Sequence, residues 1–173
     1  RLPADALVGE NPDSADAGLL QLFAGLNPER IMAAAFSLGI ARHALGKAVA
    51  YAKERTVFSQ PIGAHQSIAH PLAQCAIELE QAKLMTQKAA WLYDSGEDAA
   101  AGEAANMAKY AAAEVAAKTV DQAVQTHGGN GLTVEYGVAS LLAATRASRI
   151  APVSREMVLN FVATHTLGLP KSY

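Results

Sequence analysis

Between residues 27 and 125 an apolar side chain returns at every third or fourth position, and the pattern breaks only twice. That period lines one face of an α-helix and does not fit the alternating faces of a strand. The first run carries Ile31, Ala35, Leu38, Ala41, Leu45, Val49 and Ala52. Asn27, Pro28 and Glu29 read as N-cap, first-turn proline and first-turn acid, so a helix is predicted to open at Asn27. It fades over 54–56, and Pro61 and Gly63 bar its continuation. The second run, roughly 65–93, has the stripe Ile68, Leu72, Cys75, Leu79, Ala82, Met85 and Ala89, with Pro71 in its first two turns. After a turn at Asp94, Ser95 and Gly96, an alanine-rich third helix is predicted over about 98–125. Gly128, Gly129 and Gly131 end it, because they supply freedom that a helix does not use. Shorter helices are predicted over 138–149 and 154–165, separated by Pro152.

Three long helices with short turns imply an all-α, up-and-down antiparallel bundle of the four-helix type, with short extra C-terminal helices. Residues 26–173 form this domain. Residues 1–25 differ: they hold Pro3, Gly9, Pro12 and Gly18, with a short apolar run at 19–23 that reads as a strand or a loose helix turn. They are expected to be an arm remaining from a preceding β-domain. The chain starts at Arg1 without a methionine and is expected to be a fragment or a processed piece. With 51% hydrophobic and 17% charged residues in 173, a packed core is within reach. A net charge of -2 offers no electrostatic grip on nucleic acid or a membrane surface. Cys75 has no cysteine to pair with, no apolar run reaches the ~20 residues of a membrane span, and the N-terminus lacks a signal-peptide layout.

A helical bundle can carry a metal in its core, but no glutamate here is followed three residues later by histidine. No Cys-x-x-Cys occurs and the histidines lack zinc spacing, so no metal site is expected. Two stretches remain. One is Arg55-Thr-Val-Phe58-Ser-Gln-Pro-Ile62-Gly-Ala-His65-Gln66. It reads as an interhelical loop with one anchoring aromatic, or as a site where Arg55 meets a diphosphate by paired N–H donors. The other is Gln125-Thr-His-Gly128-Gly129-Asn130-Gly131, a helix stop or a backbone bared so that a flat cofactor or a second subunit can approach. Trp91 and Tyr93 are expected to pack or cover a helix end, the methionines to fit the core, and Lys83, Lys88 and Lys109 to be solvated charges.

Taken in order, these motifs resemble the C-terminal domain of the acyl-CoA dehydrogenase family. That domain has an Arg-x-x-Phe-Gly loop after its first long helix and a Gln-x-x-Gly-Gly-x-Gly turn after its third. Ser59 replaces the loop glycine here. The resemblance covers nearly the whole chain, and even residues 1–10 look like the family's exit from its central β-domain. It implies FAD at a subunit interface, with Arg55, Phe58, Ile62, His65, Gln66, Gln125, Gly129 and Ser154 as its contacts. It also implies that the 27–30 segment meets coenzyme A, with Asn27 and Arg30 as substrate contacts.

The implied reaction is α,β-dehydrogenation of an acyl-CoA thioester, with an electron-transfer flavoprotein as acceptor. The implied assembly is a homodimer or tetramer, in the bacterial cytoplasm or, less favoured, the mitochondrial matrix. Many members carry the catalytic base in a Tyr-Glu-Gly-Thr segment, whereas this chain has Ala151-Pro152-Val153-Ser154, and proline takes no proton. Others carry it in Leu-Asp-x-Glu-Arg, which matches Leu26-Asn-Pro-Glu29-Arg30. Glu29 is therefore the candidate base, with Glu156 as the alternative. From its position alone Glu29 also reads as a first-turn acid complementing a helix dipole. Two other readings stand beside the enzyme: an inactive family member serving as an assembly partner, and a helical interaction module without flavin.

Overall fold

The chain runs up, down and up again through three long helices: α1 (Gly18–Glu54), α2 (Gln66–Asp94) and α3 (Asp98–His127). Two short helices, α4 (Leu141–Ser148) and α5 (Arg155–Phe161), follow and lie against α3. The computed structural model describes Pro3, Ala6 and residues 18–171, so the arm expected at the N-terminus lies, up to residue 17, almost wholly outside the described residues. The bundle is the expected all-α one. The strands are confined, among the described residues, to a two-stranded ribbon, β1 (Thr56–Val57) and β2 (Gln60–Pro61), between α1 and α2.

The middle of the bundle belongs to α3, which packs extensively on both α1 and α2. Its alanines explain this. Ala105, Ala108, Ala112, Ala116 and Ala123 have no exposed surface, and a methyl side chain lets neighbouring helix axes come close. One apolar cluster joins Leu38, Leu79, Ala82, Ala108 and Val115; a second joins Ala48, Leu72, Val120, Ala123 and Val138. The turn at Gly96 (φ 75°) is closed by the Glu97 amide donating to the Leu92 carbonyl at 3.1 Å.

Several expectations need correction. α1 does not open at Asn27: it begins at Gly18 and carries Pro28 in its interior. Proline there has no N–H to offer the carbonyl of Ala24, a defect of about 3 kcal/mol or more in an isolated helix, yet the leucine-rich turns before it stay helical. Glu29 thus lies about three turns inside the helix and does not complement its N-terminal dipole. The buried stripe of α1 runs through Ala34, Leu38, Ala41, Ala44, Ala48 and Ala52, leaving Ala35 exposed. In α2 the predicted stripe holds, with Thr86 added and Ile68 and Met85 at its margin. Met32 and Met157 are exposed and do not fill the core, while Trp91 and Tyr93 are exposed at the C-terminal end of α2. Lys109 is the sharpest reversal, since it is 2% exposed at the centre of the bundle.

Candidate active site

The antiparallel course of the helices gathers the end of α1, the β-ribbon, the start of α2 and the end of α3 at one pole of the bundle. There the Ile62 amide donates to the Arg55 carbonyl at 2.8 Å, closing the ribbon. Thr56 pairs with Pro61 and Val57 with Gln60, which leaves Phe58 and Ser59 as a two-residue turn. Both have positive φ, 50° and 70°, the requirement of a type I′ hairpin turn. Neither is glycine, so the turn holds two side chains in a conformation that L-residues avoid. The result is a phenylalanine ring 92% exposed at the tip of a tight hairpin. Arg55 and Gln66 are exposed beside it, while Ile62 is half-buried in the second apolar cluster. His65 precedes α2, and its carbonyl accepts from the Ile68 and Ala69 amides. Its Nε2 is buried without a hydrogen-bond partner.

The glycine turn stands at the same pole. Gly128 has φ 59° and ψ -138°, a region open in practice only to glycine. At Gly131 a Cβ would lie 2.6 Å from the Val124 carbonyl oxygen, so the chain itself excludes a side chain there. Gly129 differs. It is exposed, its φ is not positive, and a Cβ there would meet nothing within 4 Å. Gln125 is exposed one turn earlier. The turn is pinned by an aromatic group that the sequence pattern did not single out. His127 stacks on Tyr51 at 4.4 Å, and Tyr136 stands edge-on to both at 5.5 and 5.7 Å. His127 Nδ1 lies 2.7 Å from the Ala123 carbonyl, so Nδ1 carries the proton, and the Asn130 amide donates to the Tyr51 hydroxyl at 3.1 Å. Spacing marks Tyr51 alone, three residues after Ala48 on the buried face of α1; nothing in the pattern brings Tyr136 to it.

A second group lies about 27 Å from this pole, at 1.5 Å per residue along α3 from His127 back to Lys109. Here Glu29 is exposed and Arg30 is 5% exposed, with Arg30 Nη1 donating to Asn27 Oδ1 at 3.1 Å. Burial lowers the pKa of the Arg30 guanidinium, and the charge of Glu29 opposes that shift. Asn27 in turn lies over Gly102 of α3, where a Cβ would come within 3.4 Å of its amide. The Lys109 ammonium donates to the Val153 carbonyl at 2.6 Å. Burial also lowers the pKa of Lys109, Arg30 adds to the effect, and Glu114 and Glu156 counter it. The 151–154 loop has a cis Ala151-Pro152 bond and ends at Ser154, whose Oγ accepts from the Met157 amide to cap α5. Glu156 is exposed in the first turn of α5. Glu114 is taken up by Arg149 at 2.8 Å and Arg155 at 3.4 Å. Among the described residues no cluster could hold a metal ion, and no helix is long and apolar enough to cross a membrane.

The predicted residues therefore fall into two sets. Arg55, Phe58, Ile62, His65, Gln66, Gln125 and Gly129 share the pole, whereas Asn27, Glu29, Arg30 and Ser154 share the flank. The family model described as acyl-CoA dehydrogenase, C-terminal domain, matches residues 16–167. The chain belongs to the acyl-CoA dehydrogenase family. It is 68% identical over all its 173 residues to an acyl-CoA dehydrogenase of Mycobacterium tuberculosis, and spans 44% of that relative. Butyryl-CoA dehydrogenase from Megasphaera elsdenii is similar in structure, with a TM-score of 0.80 and 34% identity over 84% of this chain and 37% of that one. A structure of PigA with FAD and proline gives a TM-score of 0.79 and 29% identity over 83% of this chain and 37% of that one. The chain thus spans under half the length of these relatives and is the family's C-terminal helical domain.

Proposed function

We propose that the intact protein is an FAD-dependent acyl-CoA dehydrogenase in which Glu29 removes the α-proton of the acyl thioester. The observation that carries the base assignment is the placement of Glu29 and Pro152. The 151–154 loop offers no carboxylate, whereas Glu29 is an exposed carboxylate on the same flank, beside the buried Arg30. Asn27 and Arg30 would meet the coenzyme A part of the substrate. FAD, when bound, accepts the hydride from the β-carbon. The pole fits such a cofactor: Gly129 bares its backbone without any need of the chain's own packing, His65 Nε2 is a buried polar atom without a partner, and the Phe58 side chain stands exposed. Arg55 would pair with the diphosphate through two N–H donors, and Gln66 and Gln125 would supply polar contacts. Ser154, which accepts the α5 cap bond through its oxygen, keeps its hydroxyl proton free to donate.

The pole and the flank are too far apart to serve one flavin ring, so each domain would contribute to two sites. That supports a homo-oligomer in which the pole touches FAD held mainly by a neighbouring subunit. An electron-transfer flavoprotein is the acceptor that the family resemblance implies. The deciding experiment is anaerobic addition of acyl-CoA to the intact flavoprotein. Bleaching of the flavin absorbance is expected, and Glu29→Gln is expected to slow it by about two to four orders of magnitude. Unchanged bleaching in Glu29→Gln would remove Glu29 as base. A second reading, an inactive assembly partner, is motivated by Pro152; a yellow intact protein that no acyl-CoA bleaches would favour it.

A further inference from the structure

Ile77, Leu84 and Trp91 stand seven residues apart on α2 and are 62%, 64% and 67% exposed. Seven residues are close to two helical turns, so the three form one line about 21 Å long. It runs down the side of α2 opposite the buried stripe of Leu72, Cys75, Leu79 and Ala82. Single exposed apolar side chains are ordinary on a protein surface, but a line at heptad spacing is a seam along which a second helix packs. Beside it, Met85, Met107 and Ala111 line a groove of about 490 Å³ between α2 and α3, so the apolar surface continues past the helix. Nothing among the described residues covers this face.

The order of residues along the line is self-complementary. Leu84 is the midpoint, with Ile77 and Trp91 equally far on either side, and Glu80 and Lys88 flank it four residues before and four after. Two copies of α2 laid antiparallel about a two-fold axis at Leu84 therefore set Leu84 against Leu84 and Ile77 level with Trp91. They also set Glu80 of each copy level with Lys88 of the other. Laid parallel, the same helices would set Glu80 against Glu80 and Lys88 against Lys88, which like charges oppose. Within one copy Glu80 and Lys88 are about 12 Å apart along the helix, too far to pair. Glu80 holds Lys83 at 3.0 Å in an exposed pair of little worth, and Lys88 has no acid partner among the described residues.

We propose that the outward face of α2 is an interface between two copies of this chain, packed antiparallel about a two-fold axis at Leu84. Such an interface is isologous, so each contact occurs twice. It is remote from the pole, because α2 opens there at Gln66, about 27 Å before Leu84. It therefore goes beyond the subunit contact proposed through FAD and does not rest on it.

The test uses the intact protein, and its first readout is the mass in solution by sedimentation velocity. Wild type is expected as a dimer or tetramer, and Leu84→Glu, which puts two carboxylates on the axis, as half that number of subunits. Glu80→Lys is expected to weaken association about tenfold at low salt, and adding Lys88→Glu to restore it. The second readout is crosslinking by mild oxidation. Cys75 is buried, and the unsubstituted protein is the control for any other thiol. A covalent dimer is expected with Leu84→Cys and none with Ile77→Cys, whose two copies stand about 21 Å apart in this arrangement. Crosslinking through Ile77→Cys but not through Leu84→Cys overturns the axis at Leu84. An unchanged subunit number in Leu84→Glu, with Leu84→Cys left uncrosslinked, overturns the interface itself. If Leu84→Glu then lowers Tm at unchanged mass, the face is covered by another part of the same chain.

Discussion

The imidazole of His127 lies against the ring of Tyr51 with centroids 4.4 Å apart, so the last residue of α3 is joined face to face with the last turn of α1. Tyr136 closes the group edge-on, and Asn130 reaches the Tyr51 hydroxyl. The glycine turn is therefore held in place by side chains, and its backbone is left free to face outward. Replacing His127 with alanine removes the stack and the bond to the Ala123 carbonyl. A loss of about 2–3 kcal/mol is expected from these contacts together. Thermal unfolding should show it, and the ratio of flavin to protein absorbance should fall with it.

Gly131 and Gly129, two residues apart, let packing within the chain be tested separately from the proposed cofactor contact. Gly131→Ala forces a Cβ to 2.6 Å from the Val124 carbonyl oxygen, a backbone atom that cannot swing aside. Such overpacking should cost about 1–3 kcal/mol or more, seen as a lower Tm. Gly129→Ala meets nothing within 4 Å and is expected to leave Tm of the apoprotein unchanged within error. It should nevertheless weaken FAD binding, measured by titrating apoprotein with FAD. Unaltered affinity would remove the cofactor reading of that glycine.

The three long helices were legible because their apolar period is long and regular, and in α2 five of the seven predicted stripe positions are buried, with Ile68 and Met85 half-buried and Thr86 buried besides. The start of α1 was not, because Asn-Pro-Glu has the local chemistry of a helix opening and only the surrounding helix shows it to be interior. Lys109 was misjudged for a different reason. It falls four residues after Ala105 and three before Ala112, on the inward face. The alanines of α3 surround the helix on nearly every side, so no polar face contrasts with a buried one and the lysine looks solvated. The aromatic pin at the pole joins residues from α1, α3 and the segment after it, a convergence that sequence spacing does not reveal.

Ser59 stands where the family loop carries glycine, and it has φ 70°. A side chain in that region costs roughly 1–2 kcal/mol, which glycine does not incur. Ser59→Gly should relax the hairpin and raise stability by about 1 kcal/mol, less the extra chain entropy that glycine brings to the unfolded state. Equilibrium denaturation would measure it. A decrease would show that the Ser59 side chain makes a contact in the assembled protein that outweighs the backbone strain.

Lys109 also sets a pH dependence of stability whose sign follows from its lowered pKa, caused first by burial. Below that lowered value both the folded and unfolded chains bind the proton, and the full penalty of burying the charge is felt. As pH rises from there toward about 10.4, the unfolded chain still holds its proton while the folded one releases it. The unfolded state then binds more protons, so the free energy of unfolding rises with pH. Lys109→Met lacks this contribution. Denaturation midpoints of the two intact proteins, followed from neutral pH to about pH 10, should therefore move in favour of the wild type. A difference that stays flat, or shifts toward the methionine variant, would mean that the ammonium is far better solvated than its burial beside Val153 implies.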